Sequence, residues 1–272
     1  MYNTVKYNND KDEIDMKMFA TERRQVILDF LNEKKRVTVK ELSSYVGVSE
    51  ATLRTDLNKM ELDGLLIRTH GGAMLKEEKS DTSFSVRAQK NILEKSKIAE
   101  LAFQQIEEKQ CILLDASSTA LELARIINEH PIRLTVITTG ILTALELKDN
   151  PNITVIMVGG VLTNRSTSIE GILGIDLLNR FNIDIMFTSG NGFSVESGLT
   201  DFNMYEVELK RYIVQRANKI ISIVDSSKVG NNSSSAFASI EEIDMLITDK
   251  PLEDSILDKL QAHQIDVLFP VK

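Results

Sequence analysis

Along residues 115–228, the side chains that could hold a ligand recur just after short apolar runs. Asp115 follows "CILL" and precedes Ser117, Ser118 and Thr119. Thr138 ends "LTVIT", Gly159 and Gly160 follow "ITVIMV", and Gly190 and Gly192 lie in "SGNG" beyond "IDIMF". Asp201 ends "SGLTD", Glu206 and Lys210 stand four apart, and Asp225 and Lys228 follow "KIISIV". Hydroxyls and open amides at a helix start attract oxyanions. Glycine lets backbone approach a ligand, and lysine offers a compact positive charge. Each residue alone is an ordinary cap or strand end. Together they suit a small polyhydroxylated anion, with a sugar phosphate as the fitting chemistry.

A second group lies earlier, in "GVSEATLRTDLNKMELDGLLIRTHGGAML", residues 47–75. Leu53, Leu57 and Met60 form one apolar stripe at helical spacing. Ser49, Glu50, Thr52, Arg54, Thr55 and Lys59 lie off that stripe or at its margin. Arg54 could pair bidentately with guanine, and hydroxyls and lysines could meet phosphates. Arg68 and His70 sit on a short hairpin turning at Gly71-Gly72 and would meet phosphates or a minor groove. The same pattern equally fits a three-helix subdomain with a solvated charged face.

These residues need elements to place them. Residues 1–20 are polar and acidic and are expected to be a disordered extension. A helix is expected from Thr21, then a short one near Lys40–Tyr45 closed by Gly47, then one over about 50–61 with Ser49 as its N-cap. The two short strands of "LLIRTHGGAML" complete a winged helix-turn-helix over 21–75, the helix-turn-helix itself at about 37–56. Residues 76–90 read as a linker. From 91 to 272, uniformly apolar strands alternate with helices, which predicts a mostly parallel sheet covered on both faces. The fold class is α/β, and ligands in such sheets sit beyond the carboxyl ends of the strands.

The 272 residues carry a formal charge of −8, a single cysteine and three histidines. That argues against a disulfide framework and a zinc cluster. No apolar run reaches membrane length and the start is not a secretory signal, so a cytoplasmic protein without a membrane partner is expected. No cofactor is expected. Residues 21–76 hold 10 Lys/Arg against 8 Asp/Glu, while the residues beyond 76 sum to −9. This split suggests different partners for the two parts.

The stretch "ERRQVILDFL…VTVKELSSYVGVSEATLRTDLNKMELDGLLIRTHGGA" resembles the N-terminal domain of the DeoR family of sugar-operon repressors. The later "ILLDASSTALELA…VITTG…VGGVL…GLTD…VDSSK" resembles that family's effector domain, which is related to ribose-phosphate isomerase. The resemblance implies double-stranded operator DNA and a phosphorylated sugar as partners, and a homo-oligomer, dimer or tetramer. It implies a repressor released by its effector. Three departures stand out: Arg54-Thr55 replaces a usual arginine pair, Ser117-Ser118-Thr119 replaces Gly-Thr-Thr, and Thr138-Thr139 replaces Thr-Asn. The competing possibility is an isomerase-like enzyme tethered to a DNA-binding domain. Against it, the loop at 189–192 lacks aspartate, and Lys210 stands where isomerase-like relatives carry a catalytic glutamate.

Overall fold

The computed structural model describes residues 20–62, 65–74, 84–163 and 166–271. The chain divides into two compact units, Met1–Ser80 and Asp81–Lys272. The expected N-terminal extension, apart from Ala20, lies outside the described residues, as do position 75 and positions 76–83 of the expected linker.

In the first unit, helix α1 (Ala20–Lys34) leads to strand β1 (Arg36–Thr38), helices α2 (Val39–Val46) and α3 (Glu50–Leu62), and strands β2 (Ile67–Thr69) and β3 (Gly72–Met74). Thr38 starts α2 through a capping box with Glu41, which satisfies two amides that the first turn leaves open. Gly47 ends it at φ 75°, its N–H reaching Ser43 O, a left-handed conformation suited to glycine. Ser49 Oγ accepts from Thr52 N at 3.2 Å and so begins α3. Ile27, Leu31, Leu42, Leu53, Leu57 and Met60 are fully buried and form the core. The sequence pattern predicts only the two hairpin strands here. Instead β1 is a third strand, pairing antiparallel with β3 in the order β1-β3-β2. Gly72 is required there, because a Cβ would come within 2.0 Å of Val37 O.

The second unit opens with α4 (Phe84–Gln89), a helix inside the stretch expected to be linker. Next come α5 (Ile92–Phe103), β4 (Cys111–Leu114), α6 (Ser118–Glu129), β5 (Leu134–Thr138), α7 (Ile141–Leu147) and β6 (Ile153–Met157). The chain continues with α8 (Ile175–Leu178), β7 (Ile185–Thr188), β8 (Gly192–Ser194), β9 (Gly198–Asp201), α9 (Met204–Val214) and β10 (Ile220–Ile223). It ends with β11 (Ser235–Ala238), β12 (Met245–Ile247), α10 (Asp254–Ala262) and β13 (Asp266–Leu268). Seven strands form one sheet in the order β13-β12-β10-β7-β4-β5-β6, every pairing parallel.

Strands β4, β7 and β10 are almost wholly buried, because helices cover both faces and two apolar clusters fill the layers. Strands β8, β9 and β11 make a separate antiparallel sheet that alternation alone did not reveal. Strand order runs outward from β4 in both directions. The crevice between the ends of β4 and β7 is therefore the switch point, where an open α/β sheet receives ligands.

Candidate functional site

In the first unit, α3 carries its apolar stripe inward and leaves Ser49, Arg54, Thr55 and Lys59 exposed, with Glu50 and Thr52 half-buried. Arg54 is paired with Glu50 at 2.6 Å across one turn, so a base edge would have to displace a neighbour on the same helix. Thr55 Oγ1 donates back to Ala51 O at 3.2 Å. Arg68 donates to Gly72 O at 2.9 Å, and its amide donates to Glu61 at 2.8 Å. Arg68 thus fastens the hairpin as well as lying on it, while His70 is exposed at the turn. Asp56, 3 % exposed, takes Arg23 at 2.6 Å and Arg24 at 3.3 Å. That pairing of α1 to α3 sets the pose of the outward face, and it escaped sequence reading because Asp56 looked like one more polar residue.

In the second unit, the switch-point cleft is lined by Ser117, Ser118, Ser189, Gly190, Asn191, Asp201, Glu206, Lys210 and Lys228, together with Arg87 of α4. Ser117 caps α6, its Oγ accepting from Ala120 N at 3.1 Å. The cleft therefore has a helix N-terminus on one wall. The Ser189 hydroxyl is buried and makes no hydrogen bond. A buried hydroxyl without a partner is costly, and of the three such hydroxyls among the described residues, those of Ser189, Ser222 and Thr248, only that of Ser189 belongs to a residue of the cleft wall.

Behind the cleft is a closed ionic knot. Lys210 Nζ lies 3.2 Å from Asp115, 3.4 Å from Asp201 and 2.8 Å from Ser189 O. Asp115 is 1 % exposed. Its oxygens also accept from Ser117 N at 2.9 Å, Thr188 Oγ1 at 2.8 Å and Ser189 N at 2.9 Å. Burial would raise the Asp115 pKa, but Lys210, Ser117 and the Ser189 amide hold it below the usual carboxylate range. Burial would lower Lys210, but Asp115, Asp201 and Glu206 hold it above the ordinary lysine value.

Glu206 goes the other way. Burial, with Asp201 and Asp115 near, keeps its carboxyl above the ordinary value against the pull of Lys210. Lys228 donates to Gly190 O at 2.7 Å, and burial pushes its pKa down. Asp225 accepts from Asn91 at 3.0 Å and from Ser227 N at 3.1 Å. Burial would raise it, but Ser227, Lys228 and Asn91 hold it low.

The remaining expected residues are elsewhere. Thr138 is fully buried, its hydroxyl accepting from Gly140 N at 3.0 Å. Gly159 and Gly160 close the end of β6: a Cβ on Gly160 would meet Glu170 O at 2.7 Å, and one on Gly174 would meet Gly159 O at 2.0 Å. Gly192 is buried against Asn231 O, 2.4 Å from where its Cβ would stand. Thr119 is buried in the first turn of α6. Thr138, Gly159 and Gly160 stand at the ends of β5 and β6, on the side of β4 away from β7, and do not line the cleft. Sequence reading missed Arg87, Ser189, Asn191 and Phe202 as lining residues. "SGNG" carried a usable signal for Ser189 and Asn191; Arg87 lay in what read as linker.

No helix among the described residues is long and apolar enough to cross a membrane. Those residues hold no cluster of three or more His, Cys, Asp or Glu that could bind a metal ion. The model of the DeoR-like helix-turn-helix domain matches residues 23–79, and that of the DeoR C-terminal sensor domain matches residues 90–250. The HTH-type transcriptional regulator GolR of Listeria innocua is 45% identical over 256 residues, covering 94% of this chain and 99% of that protein. The glycerol-3-phosphate regulon repressor of Escherichia coli is 28% identical over 250 residues, covering 92% and 99%. Among solved structures, ribose 5-phosphate isomerase A of Methanocaldococcus jannaschii aligns at a TM-score of 0.39 and 18% identity, over 51% of this chain and 55% of that one. With a DNA-binding helix-turn-helix at one end and a sensor domain at the other, the chain belongs to the DeoR family of transcriptional regulators and is not an enzyme.

Proposed function

We propose that the protein is a repressor that grips operator DNA through α3 and its wing and lets go when a phosphorylated sugar or polyol fills the switch-point cleft. The observation that carries the reading is the unpartnered, buried hydroxyl of Ser189, set among the α6 N-terminus, Gly190 and Lys228. An oxyanion would satisfy that hydroxyl and meet the positive end of the helix dipole at once. Ser117, Ser118, Asn191 and Glu206 then face the hydroxylated part of the ligand. Asp115 and Lys210 hold the loops rather than the ligand, because each already has a full set of protein partners. The Escherichia coli relative is named a repressor of a glycerol-3-phosphate regulon, which supports both the sign of control and a phosphorylated polyol as ligand class.

On the DNA side, Arg54 reads bases and Ser49, Thr52, Thr55, Lys59, Arg68 and His70 reach phosphates. The slight positive charge of residues 21–76 calls for two copies on repeated half-sites. The homo-oligomer and a cytoplasmic location belong to the same proposal. Exposed Leu162, Ile172 and Leu173 supply apolar area for contact between copies.

The test is thermal unfolding of the full-length protein with glucose 6-phosphate, fructose 6-phosphate, ribose 5-phosphate and glycerol 3-phosphate. Each is compared with its unphosphorylated parent and with inorganic phosphate. At about 100-fold over Kd, a true ligand stabilises by about 2.7 kcal/mol. It should also weaken binding to a duplex selected from a random pool by the protein itself. If no phosphorylated compound shifts the melting temperature, or if NMR shows one being isomerised, the reading is wrong.

A further inference from the structure

Helix α4 is only six residues long and none of them is fully buried. The neighbouring α5, by contrast, buries Ile98, Ala99 and Ala102. Polar contacts fasten the C-terminal end of α4. The ammonium of Lys95, a residue 3 % exposed, donates to the carbonyl oxygens of Arg87 and Lys90 at the helix's C-terminal end. A cation there meets the negative end of the helix dipole, and the carbonyls supply partners that a buried ammonium needs.

The joint to α5 is fixed as well. Asn91 adopts φ 55°, and its side chain donates to Asp225 at 3.0 Å and Ser227 at 3.4 Å, just beyond β10. Burial lowers the Lys95 pKa to about 8, with Asp225 opposing. This arrangement puts Arg87 into the wall of the cleft beside Ser189 and Lys228, its guanidinium 5.8 Å from the Phe84 ring centroid. In chain order α4 is the first described element after wing strand β3, whose last residue is Met74.

We propose that α4 is the sensing strap of the cleft, with Arg87 taking the ligand's anionic group and Lys95 acting as the clasp that makes strap and cleft move together. This rests on the sugar-phosphate reading and adds how occupancy is reported. Arg87 is the cleft cation on the one element that leads directly, through residues 75–83, to the DNA-binding unit. An anion that draws Arg87 inward pulls on α4, and the Lys95 tie carries that pull to α5. The differential contact of Arg87 with filled and empty cleft is the coupling free energy that such control requires.

The experiment uses the full-length protein, the selected duplex and whichever of the four compounds above stabilises the parent most. Arg87→Gln should raise that compound's Kd about tenfold, the loss of one charge-assisted contact, and reduce the ligand-induced loss of DNA affinity. Lys95→Met should keep the compound's Kd within about threefold but bring the ratio of DNA affinities without and with ligand close to 1. Hydrogen exchange over residues 84–91 of the parent provides a readout that needs no variant; saturating ligand should slow it several-fold. Unchanged exchange, or full coupling retained in both variants, overturns the strap while leaving the ligand reading intact. A parent that binds none of the four compounds takes down both.

Discussion

Replacing Lys210 tests the reasoning about the ionic knot most directly. Its ammonium lies 3.2 Å from Asp115 and 3.4 Å from Asp201, with side-chain exposures of 8%, 1% and 11% for the three. At an effective dielectric of about 20, each contact amounts to roughly 5 kcal/mol of attraction, offset by the desolvation of all three groups. Lys210→Met deletes the attraction and leaves two carboxylates buried, which costs about 3–5 kcal/mol. For a unit of this size, that lowers its melting temperature by roughly 6–20 °C.

The pH dependence carries a sign. Asp115 is held low, so its share of stability is present above the unfolded pKa and lost as pH falls through the folded one. Lys210 is held high, so its share is complete below the ordinary lysine value and lost as pH rises through the raised one. Near neutral pH the parent keeps both, so the deficit of Lys210→Met should be largest there and shrink in acid. Adding Asp115→Asn to Lys210→Met should cost less than the sum of the single changes, because the buried charge goes with its partner. The assay is thermal unfolding of the full chain from pH 3 to pH 9. A Lys210→Met protein melting within about 2 °C of the parent near neutral pH would refute the knot and restore Lys210 as a cation free for ligand.

Arg54→Ala should lose about 1–3 kcal/mol on the selected duplex if Arg54 reads a base, whereas Lys59→Ala should weaken specific and random duplexes alike; fluorescence anisotropy at two salt concentrations separates them, and an Arg54→Ala protein with normal specificity refutes base reading. Glu50→Ala frees Arg54 from its 2.6 Å partner and should tighten random-duplex binding, the surface pair itself being worth under about 1 kcal/mol. Gly72→Ala forces a Cβ onto Val37 O and should destabilise the first unit by about 1–3 kcal/mol, abolishing DNA binding while the ligand-induced thermal shift of the second unit persists. Glu206, held above the ordinary carboxylate value, makes the parent lose stability as pH rises through the raised value; Glu206→Gln should flatten that slope in a melting-temperature profile, and an unchanged slope would show that Glu206 does not titrate as its burial implies.

The sequence made the sheet legible because β4, β5, β7 and β10 are wrapped by helices, and such strands must be apolar on both faces. Caps were legible for a similar reason: Gly47 and Ser49 meet local backbone demands that no distant contact overrides. What stayed hidden depended on partners far along the chain. "RVT" is too short to show a strand until β3 pairs with it, and "FSVRAQ", at six residues, is too short to show a helical period. Strand order was equally silent. Nothing in "LTVIT" or "ITVIMV" says that β5 and β6 fall on the side of β4 away from β7, which is why Thr138, Gly159 and Gly160 looked like cleft residues. Asp115 sat at the expected strand end, but its side chain serves Lys210, Ser117, Thr188 and Ser189. Residue type and place cannot tell a ligand's carboxylate from a scaffold's.

The knot also explains how a cleft with so many carboxylates suits sensing. One ammonium on α9 gathers Asp115 from the end of β4, Ser189 O from the end of β7 and Asp201 from the end of β9. The three loops that make the cleft are thereby fixed with respect to one another before any ligand arrives. Pre-set geometry reduces the ordering cost of binding. Asp115 and Asp201 are spent as acceptors for that ammonium, and a carboxylate so engaged is a poor proton acceptor. Outside the knot, Arg87 on α4 and Lys228 beyond β10 also line the cleft. These belong to separate elements, so an anion lying between them pulls on α4 against a rigid floor. With that floor fixed, the pull of a bound anion falls on α4 rather than on the loops of the cleft.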